Sequence, residues 1–338
     1  MLAVSHDIAQ PAIKEPDCPV YMQDWFIEIA GADARFTRRL VALDGAEEVG
    51  SLVYALHRNG IGMKQSYNLP WARLCGPRIS MRLSEARRAE IAHKLIKQLP
   101  TNASYFLTLS SNSDYRLFLQ HGFLPALLEN YIIRPDAPSV LFASFSGMTK
   151  RHIKQAERRL KVSTTTPDIF IREYEANLRL RRRKPYAPLP IASELLSKAI
   201  QRGQARILTA EREDGEIEAA IACLWDNTIC YYWLTTRRLA SDGKGKIHQG
   251  AVKLLIWRAL QDAAAKGLIF DFDGIPSDYS QKVQRASLIC QGMGAQRSLR
   301  YGLVRKTRLE RLAGPFRKPL KGLILKTLGS FVTLKMNY

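Results

Sequence analysis

Apolar and polar positions change period several times along the chain, and each change marks an element. Residues 84–99 carry Ala86, Ala89, Ile91, Ala92, Leu95, Ile96 and Leu99 at helical spacing behind Ser84, a favourable N-cap, so a helix is predicted there. Upstream, strand-like runs at 37–43 and 49–56 flank Asp44-Gly45, a hairpin signal. A third candidate strand at 66–69 leads into an irregular loop marked by Pro70-Trp71 and Gly76-Pro77. Short helices are expected at 24–30 and 115–121, and strands at 105–109 and 127–134. Residues 1–20 are polar, hold Pro11, Pro16 and Pro19, and are expected to be a poorly ordered tail.

A similar order follows on a larger scale. Helices are predicted at 146–160, 168–184 and 192–202, then strands at 206–213, 217–225 and 228–236 with Asp214-Gly215 and Asp226-Asn227 between them. A long helix at 247–266 stops at Gly267. Leu268 to Phe272 is an apolar run of the buried, parallel kind. A helix at 278–291 and a strand at 295–304 close the pattern. Residues 136–146 contain Pro138 and few helix signals, so the crossover between halves is expected near residue 140. The expected organisation is a tail at 1–20, domains at 21–140 and 141–305, and a tail at 306–338. The fold class is α/β (α+β), with two domains, each a mixed, mostly antiparallel sheet flanked by helices.

Charge sharpens this picture. The 338 residues hold 51 Lys and Arg against 31 Asp and Glu, a formal net charge of +20, which points to an anionic partner. The excess is concentrated in 146–206, with 15 basic and 5 acidic residues, and in 300–338, with 10 and 1. In the second zone Lys306, Arg308, Arg311, Arg317, Lys318, Lys321 and Lys326 accompany Leu320, Leu323, Ile324, Leu328, Phe331 and Leu334, which fall largely on one helical face. Basic charge beside an apolar face suits an anionic membrane surface. Five cysteines without a C-x-x-C pair argue against a disulfide framework or a zinc site, and no metal is expected. No basic segment followed by an apolar run marks a signal peptide, and no stretch reaches the about 18 apolar residues of a membrane span. A cytoplasmic protein, peripheral to the inner face of the membrane through its tail, is expected.

Several segments carry a family resemblance. They are the basic run Lys150 to Arg158, then Leu254 to Leu260 with Ala263, Ala264 and Gly267, then Phe270-Asp271-Phe272-Asp273-Gly274, and the Leu69-Pro70-Trp71 to Gly76-Pro77 loop. Their order, with helices, a three-strand meander, a long helix, a strand, a helix and a strand, is similar to that of the GNAT acyltransferases. Two such runs in one chain resemble the FemABX family of tandem GNAT-like domains. The chain departs from that family where Ile289-Cys290 and Met293-Gly294 replace a Phe-Lys pair and a Phe-Gly, and it lacks the long heptad insertion of some members.

The resemblance implies transfer of an acyl or aminoacyl group to an amine of a cell-envelope, polysaccharide or peptide precursor. Acyl-CoA or aminoacyl-tRNA would be the anionic co-substrate; the acceptor amine is not identified. A peptide-bridge ligase using aminoacyl-tRNA, and a non-catalytic basic protein binding RNA or anionic membrane, are the alternatives. In the GNAT arrangement the backbone of the fourth strand meets the donor, which falls here on 228–236 and includes Thr235. The pyrophosphate falls at Gly243, Lys244, Gly245, Lys246 and Ile247, where glycines allow close approach and a following helix favours an anion. Strand alternation puts Asp271 and Asp273 on one face, placed to accept the amine proton. Tyr279 is a candidate proton donor to the leaving thiolate. Lys282 opens the next helix toward the same cleft, and Tyr231 and Trp233 are candidates for stacking on the ligand.

Overall fold

A computed structural model of the chain describes residues 2–6, 18–33, 35–58, 62–110, 115–238, 250–272 and 281–307. The chain divides into two compact units. One is built from the first 128 residues with a segment starting at Arg300, and the other is Glu129–Leu299.

The first unit contains β1 (Leu2–His6), α1 (Asp24–Ala30), β2 (Thr37–Asp44), β3 (Glu47–Arg58), β4 (Lys64–Tyr67), the short β5 (Arg78–Ile79), α2 (Glu85–Lys97), β6 (Ala103–Thr108) and α3 (Tyr115–Leu119). β2 and β3 form the expected hairpin, with Gly45 at φ 65°, the left-handed region a tight turn demands. β3 pairs with β4 antiparallel, β4 with β6 parallel, and β6 with residues 302–305 antiparallel. Ser84 caps α2 by accepting the Arg87 N–H. The helix buries Ile91, Leu95 and Ile96 against Leu40, Leu52, Tyr54 and Tyr105. Leu2–His6 is a correction to the tail expected at 1–20. It pairs antiparallel with β2, Leu2 opposite Asp44 and His6 opposite Leu40. A five-residue edge strand draws its order from the open backbone of its partner, more than 30 residues away in sequence.

β7 (Leu124–Ile133) carries the chain into the second unit, which continues through α4 (Pro138–Ser144), α5 (Gly147–Glu157), β8 (Lys161–Thr164), α6 (Pro167–Leu180), α7 (Leu189–Gln201), β9 (Ala205–Glu211), β10 (Ile217–Trp225), β11 (Ile229–Arg237), α8 (Ala251–Ala265), β12 (Ile269–Asp271), α9 (Gln281–Gly292) and β13 (Gln296–Arg305). Its sheet runs β8-β9-β10-β11-β12-β7, antiparallel except for the parallel pair β11–β12. This is the mixed, mostly antiparallel sheet flanked by helices that the pattern predicts. The core lies under α8, whose Leu254, Leu255, Ile256, Ala259 and Leu260 are almost fully buried with Ile221, Phe270 and Met293.

Three expectations change. The crossover read at 136–146 is a helix, α4, because Pro138 stands in its first turn, where a missing N–H costs nothing. The helix expected through Lys184 ends at Leu180. The units divide at 128/129 and 299/300 rather than at 140 and 305, because the second half of β7 pairs with β12 and the end of β13 pairs with β6.

Candidate functional site

β11 and β12 run side by side for three residues only. Ile229, Cys230 and Tyr231 stand opposite Ile269, Phe270 and Asp271, after which β11 continues to Arg237. On its other edge β12 pairs with β7, and the Phe272 N–H donates to the Tyr131 carbonyl at 3.0 Å. Among the described residues, no strand covers the β12 side of β11 beyond Tyr231. An irregularity lies beside this point: Cys223 of β10 stands opposite Tyr232 and Ala222 opposite Leu234, so the register shifts at Trp233, a bulge. A bulge re-aims backbone groups out of the ladder. Among the described residues this edge of β11 is open, and its N–H and C=O groups are ones that an extended, amide-containing chain can satisfy.

The predicted residues divide sharply on this frame. Tyr231 and Trp233 are buried, and the Tyr231 hydroxyl donates to Asp226 Oδ2 at 3.0 Å. Tyr232 faces the α8 side, against Phe270 and Phe272, and burial raises its phenol above the usual range. Thr235 is exposed on the open part of β11, its hydroxyl 3.4 Å from the Ala220 carbonyl. Asp271 lies where the strands part, 2% exposed, accepting from Asn130 Nδ2 of β7 at 3.1 Å. Asp273, Tyr279, Gly243, Lys244, Gly245, Lys246 and Ile247 lie outside the described residues. Lys282 is in the first turn of α9, and only its backbone is described.

The first turn of α8 holds groups that sequence reasoning missed. Gly250 precedes the helix, and a Cβ there would stand 2.2 Å from the His152 carbonyl, so the glycine serves the close approach of α5 and α8. Lys253, in the first turn, reaches His152 Nδ1 at 3.0 Å. That turn contains no acid, and partial burial holds the Lys253 ammonium below its usual range. A cation at the positive end of a helix is unfavourable unless an anion joins it. Helical periodicity alone gives Lys253 no role, and strand periodicity gives none to Asn130.

The cysteines present no exposed thiol. All five are buried and reduced. Cys223 is raised well above the ordinary thiol value by its contact with Cys230 and by burial. Burial pushes Cys290 up to about 12, the Asp271 charge adding to the effect. A cavity of about 20 Å³ lined by Cys223, Cys230, Trp225 and Lys266 has room for about one water and for no substrate. Among the described residues, no group of three or more His, Cys, Asp or Glu is placed to hold a metal ion.

Comparison with known proteins agrees with this geometry. Residues 144–281 match the family model described as an acetyltransferase (GNAT) domain. No curated protein matches the chain by sequence. Among solved structures, FemX superposes with a TM-score of 0.52 at 10% identity, covering 79% of this chain and 87% of its own. The C-terminal domain of a putative lysylphosphatidylglycerol synthetase from Agrobacterium fabrum gives 0.52 at 9%, covering 82% and 85%. The structure titled L-PGS, from Bacillus licheniformis, gives 0.50 at 13%, covering 81% and 85%. At such identities the likeness is one of fold. Residues 144–281 thus match the GNAT acetyltransferase domain model, and the chain has a fold like that of FemX.

Proposed function

We propose that this protein is an N-acyltransferase that takes its acyl group from acyl-CoA and delivers it to an amine of a cell-envelope, polysaccharide or peptide precursor. The observation that carries this reading is the parting of β11 from β12 at Tyr231, next to the bulge at Trp233. An open strand edge suits the amide-containing arm of coenzyme A, and re-aimed N–H groups suit the thioester oxygen as it gains charge. The acid-free first turn of α8, with Lys253 and His152 beside it, suits a phosphate. The titles FemX and lysylphosphatidylglycerol synthetase among the structural neighbours favour an envelope acceptor.

In the proposed reaction the amine attacks the thioester carbonyl, the C–S bond breaks and the thiolate leaves. Asp273 takes the amine proton, Asp271 holds the base of the cleft, and Tyr279 returns a proton to the thiolate. Gly243 to Ile247 enclose the donor's phosphates. The tail beyond residue 307 would hold the enzyme at an anionic membrane surface, close to such an acceptor.

The test incubates the full-length protein with acetyl-CoA and a panel of amino sugars and peptides, following thiol release and the acylated product by mass. Product formation insensitive to ribonuclease is expected. Asp273→Asn should lower turnover by about 100-fold without changing the melting temperature. Product seen only with aminoacyl-tRNA would replace the donor, and a protein that neither binds coenzyme A nor forms product would overturn the proposal.

A further inference from the structure

The α6–α7 connection holds a group of cations that the transfer chemistry above does not use. The last turn of α6 is tied to the end of β11: the Thr236 hydroxyl donates to the Glu173 carbonyl at 3.3 Å, and Asn177 Nδ2 donates to the Arg237 carbonyl. Asn177 and Arg181 are four residues apart, on one helical face, so Arg181 is directed toward the same strand end. The helix closes with Arg181 N–H to the Asn177 carbonyl at 3.1 Å, Arg182 to Arg179 at 2.9 Å and Arg183 to Leu178 at 2.9 Å. Arg182 occupies the left-handed position, φ 53°, where such a closure ordinarily takes glycine. This strained turn brings Arg183 back beside Arg181.

Charge balance there is poor. The Arg181 Nε is buried without a hydrogen-bond partner. Burial, then the charges of Arg237 and Arg183, lowers the affinity of the Arg181 guanidinium for its proton. Nearby acids are engaged elsewhere: Glu175 with Arg179 at 3.5 Å, Glu173 with Arg172 at 3.5 Å, and Glu216 with Arg238. Among the described residues, no acid pairs with Arg181 or Arg237. The C-terminus of α6 supplies about half a negative charge against the Arg181 and Arg237 guanidinium groups. A dianionic phosphate supplies the missing charge, since guanidinium and phosphate match in geometry.

We propose that Arg181 and Arg237 form a phosphate-binding site on the second unit. This inference rests on the acyltransferase reading in assigning the phosphate to one of the two reactants, the coenzyme A donor or a phosphorylated acceptor. Inorganic pyrophosphate is the probe, titrated by calorimetry onto the full-length protein and onto Arg181→Gln, Arg237→Gln and, as a control on the same helix, Arg179→Gln.

Wild type should bind pyrophosphate. Arg181→Gln and Arg237→Gln should each weaken binding at least tenfold, and Arg179→Gln less than twofold. Arg237 is exposed, so its variant keeps the test valid if Arg181→Gln unfolds. Coenzyme A distinguishes the sources. If it displaces pyrophosphate and loses affinity in the same variants, the site holds the donor's phosphate. If pyrophosphate binds equally well to the coenzyme A-saturated protein, the site holds the acceptor's. Pyrophosphate affinity unchanged within twofold in Arg237→Gln, or lost equally in Arg179→Gln, overturns the site. A protein that binds pyrophosphate through these arginines but does not bind coenzyme A loses the acyltransferase reading and keeps the site.

Discussion

At the scale of single residues, burial decides more than identity. Asp271, which the strand pattern marks as a candidate proton acceptor, is buried and bonded to Asn130, a partner about 140 positions away in the chain. The first unit shows the same effect in His93 and His121, whose ring nitrogens stand 3.2 Å apart. Burial first, then His93, Arg305 and Lys97, holds the His121 ring below the ordinary imidazole value. The unfolded chain protonates this ring near pH about 6.5, while the folded chain resists until lower pH. Below that pH the unfolded state therefore binds more protons, and stability falls as pH falls through the ordinary His range. Thermal melts at pH 7.5 and 5.5 should show a larger drop for wild type than for His121→Gln. Equal drops would show that the pair does not set the pH response.

At the scale of elements, helices were read best and their contacts least. The Ser84 cap and the apolar stripe of α2 appear where the local pattern puts them, because both interactions span only one turn. The packing of α5 on α8 depends on Gly250, which sequence spacing had left without a role. A Cβ 2.2 Å from the His152 carbonyl meets backbone that cannot step aside cheaply. Gly250→Ala should destabilise the second unit by about 1–3 kcal/mol, a fall of about 2–4 °C in melting temperature per kcal/mol. Gly147, in the first turn of α5, has no atom within 4 Å of a built Cβ, so Gly147→Ala should leave the melting temperature unchanged or raise it. Equal losses in the two variants would mean that helix termini, rather than the close approach, control stability.

At the scale of the whole molecule, Arg305 holds the end of β13 to β6. It stands opposite Tyr105 in the β6 pairing and donates to the Pro100 carbonyl at 2.8 Å. Its guanidinium lies 4.6 Å from the Tyr105 ring centre and 4.7 Å from that of Phe123. Thr307 adds a hydrogen bond to Ser104 Oγ. A chain ending at Thr307 should therefore melt like the full-length protein, whereas one ending at Val304 should melt lower. If the tail binds anionic lipid, the Thr307 truncation should also lose sedimentation with anionic vesicles at low salt, where each basic residue contributes about 1 kcal/mol. Retained sedimentation would move the membrane contact elsewhere, and early melting of the Thr307 truncation would make the tail part of the core.

Local patterning was enough for most of the helices and strands, though not for β1, β5, α4 or β8, and for the hairpins at Asp44-Gly45 and Asp214-Gly215, the mixed sheet and the GNAT resemblance. All of these rest on interactions between near neighbours or on periodic burial. It located β11 and β12 without showing that they part after Tyr231, because strand pairing is a contact between distant segments. Tertiary structure alone decided the unit boundaries, since β7 and β13 each find ladder partners far from their own place in the chain. It alone set Asn130 on Asp271, Lys253 beside His152, and Arg237 with Arg181. In each case a side chain's surroundings come from another element, and a one-dimensional pattern carries no record of which element that is.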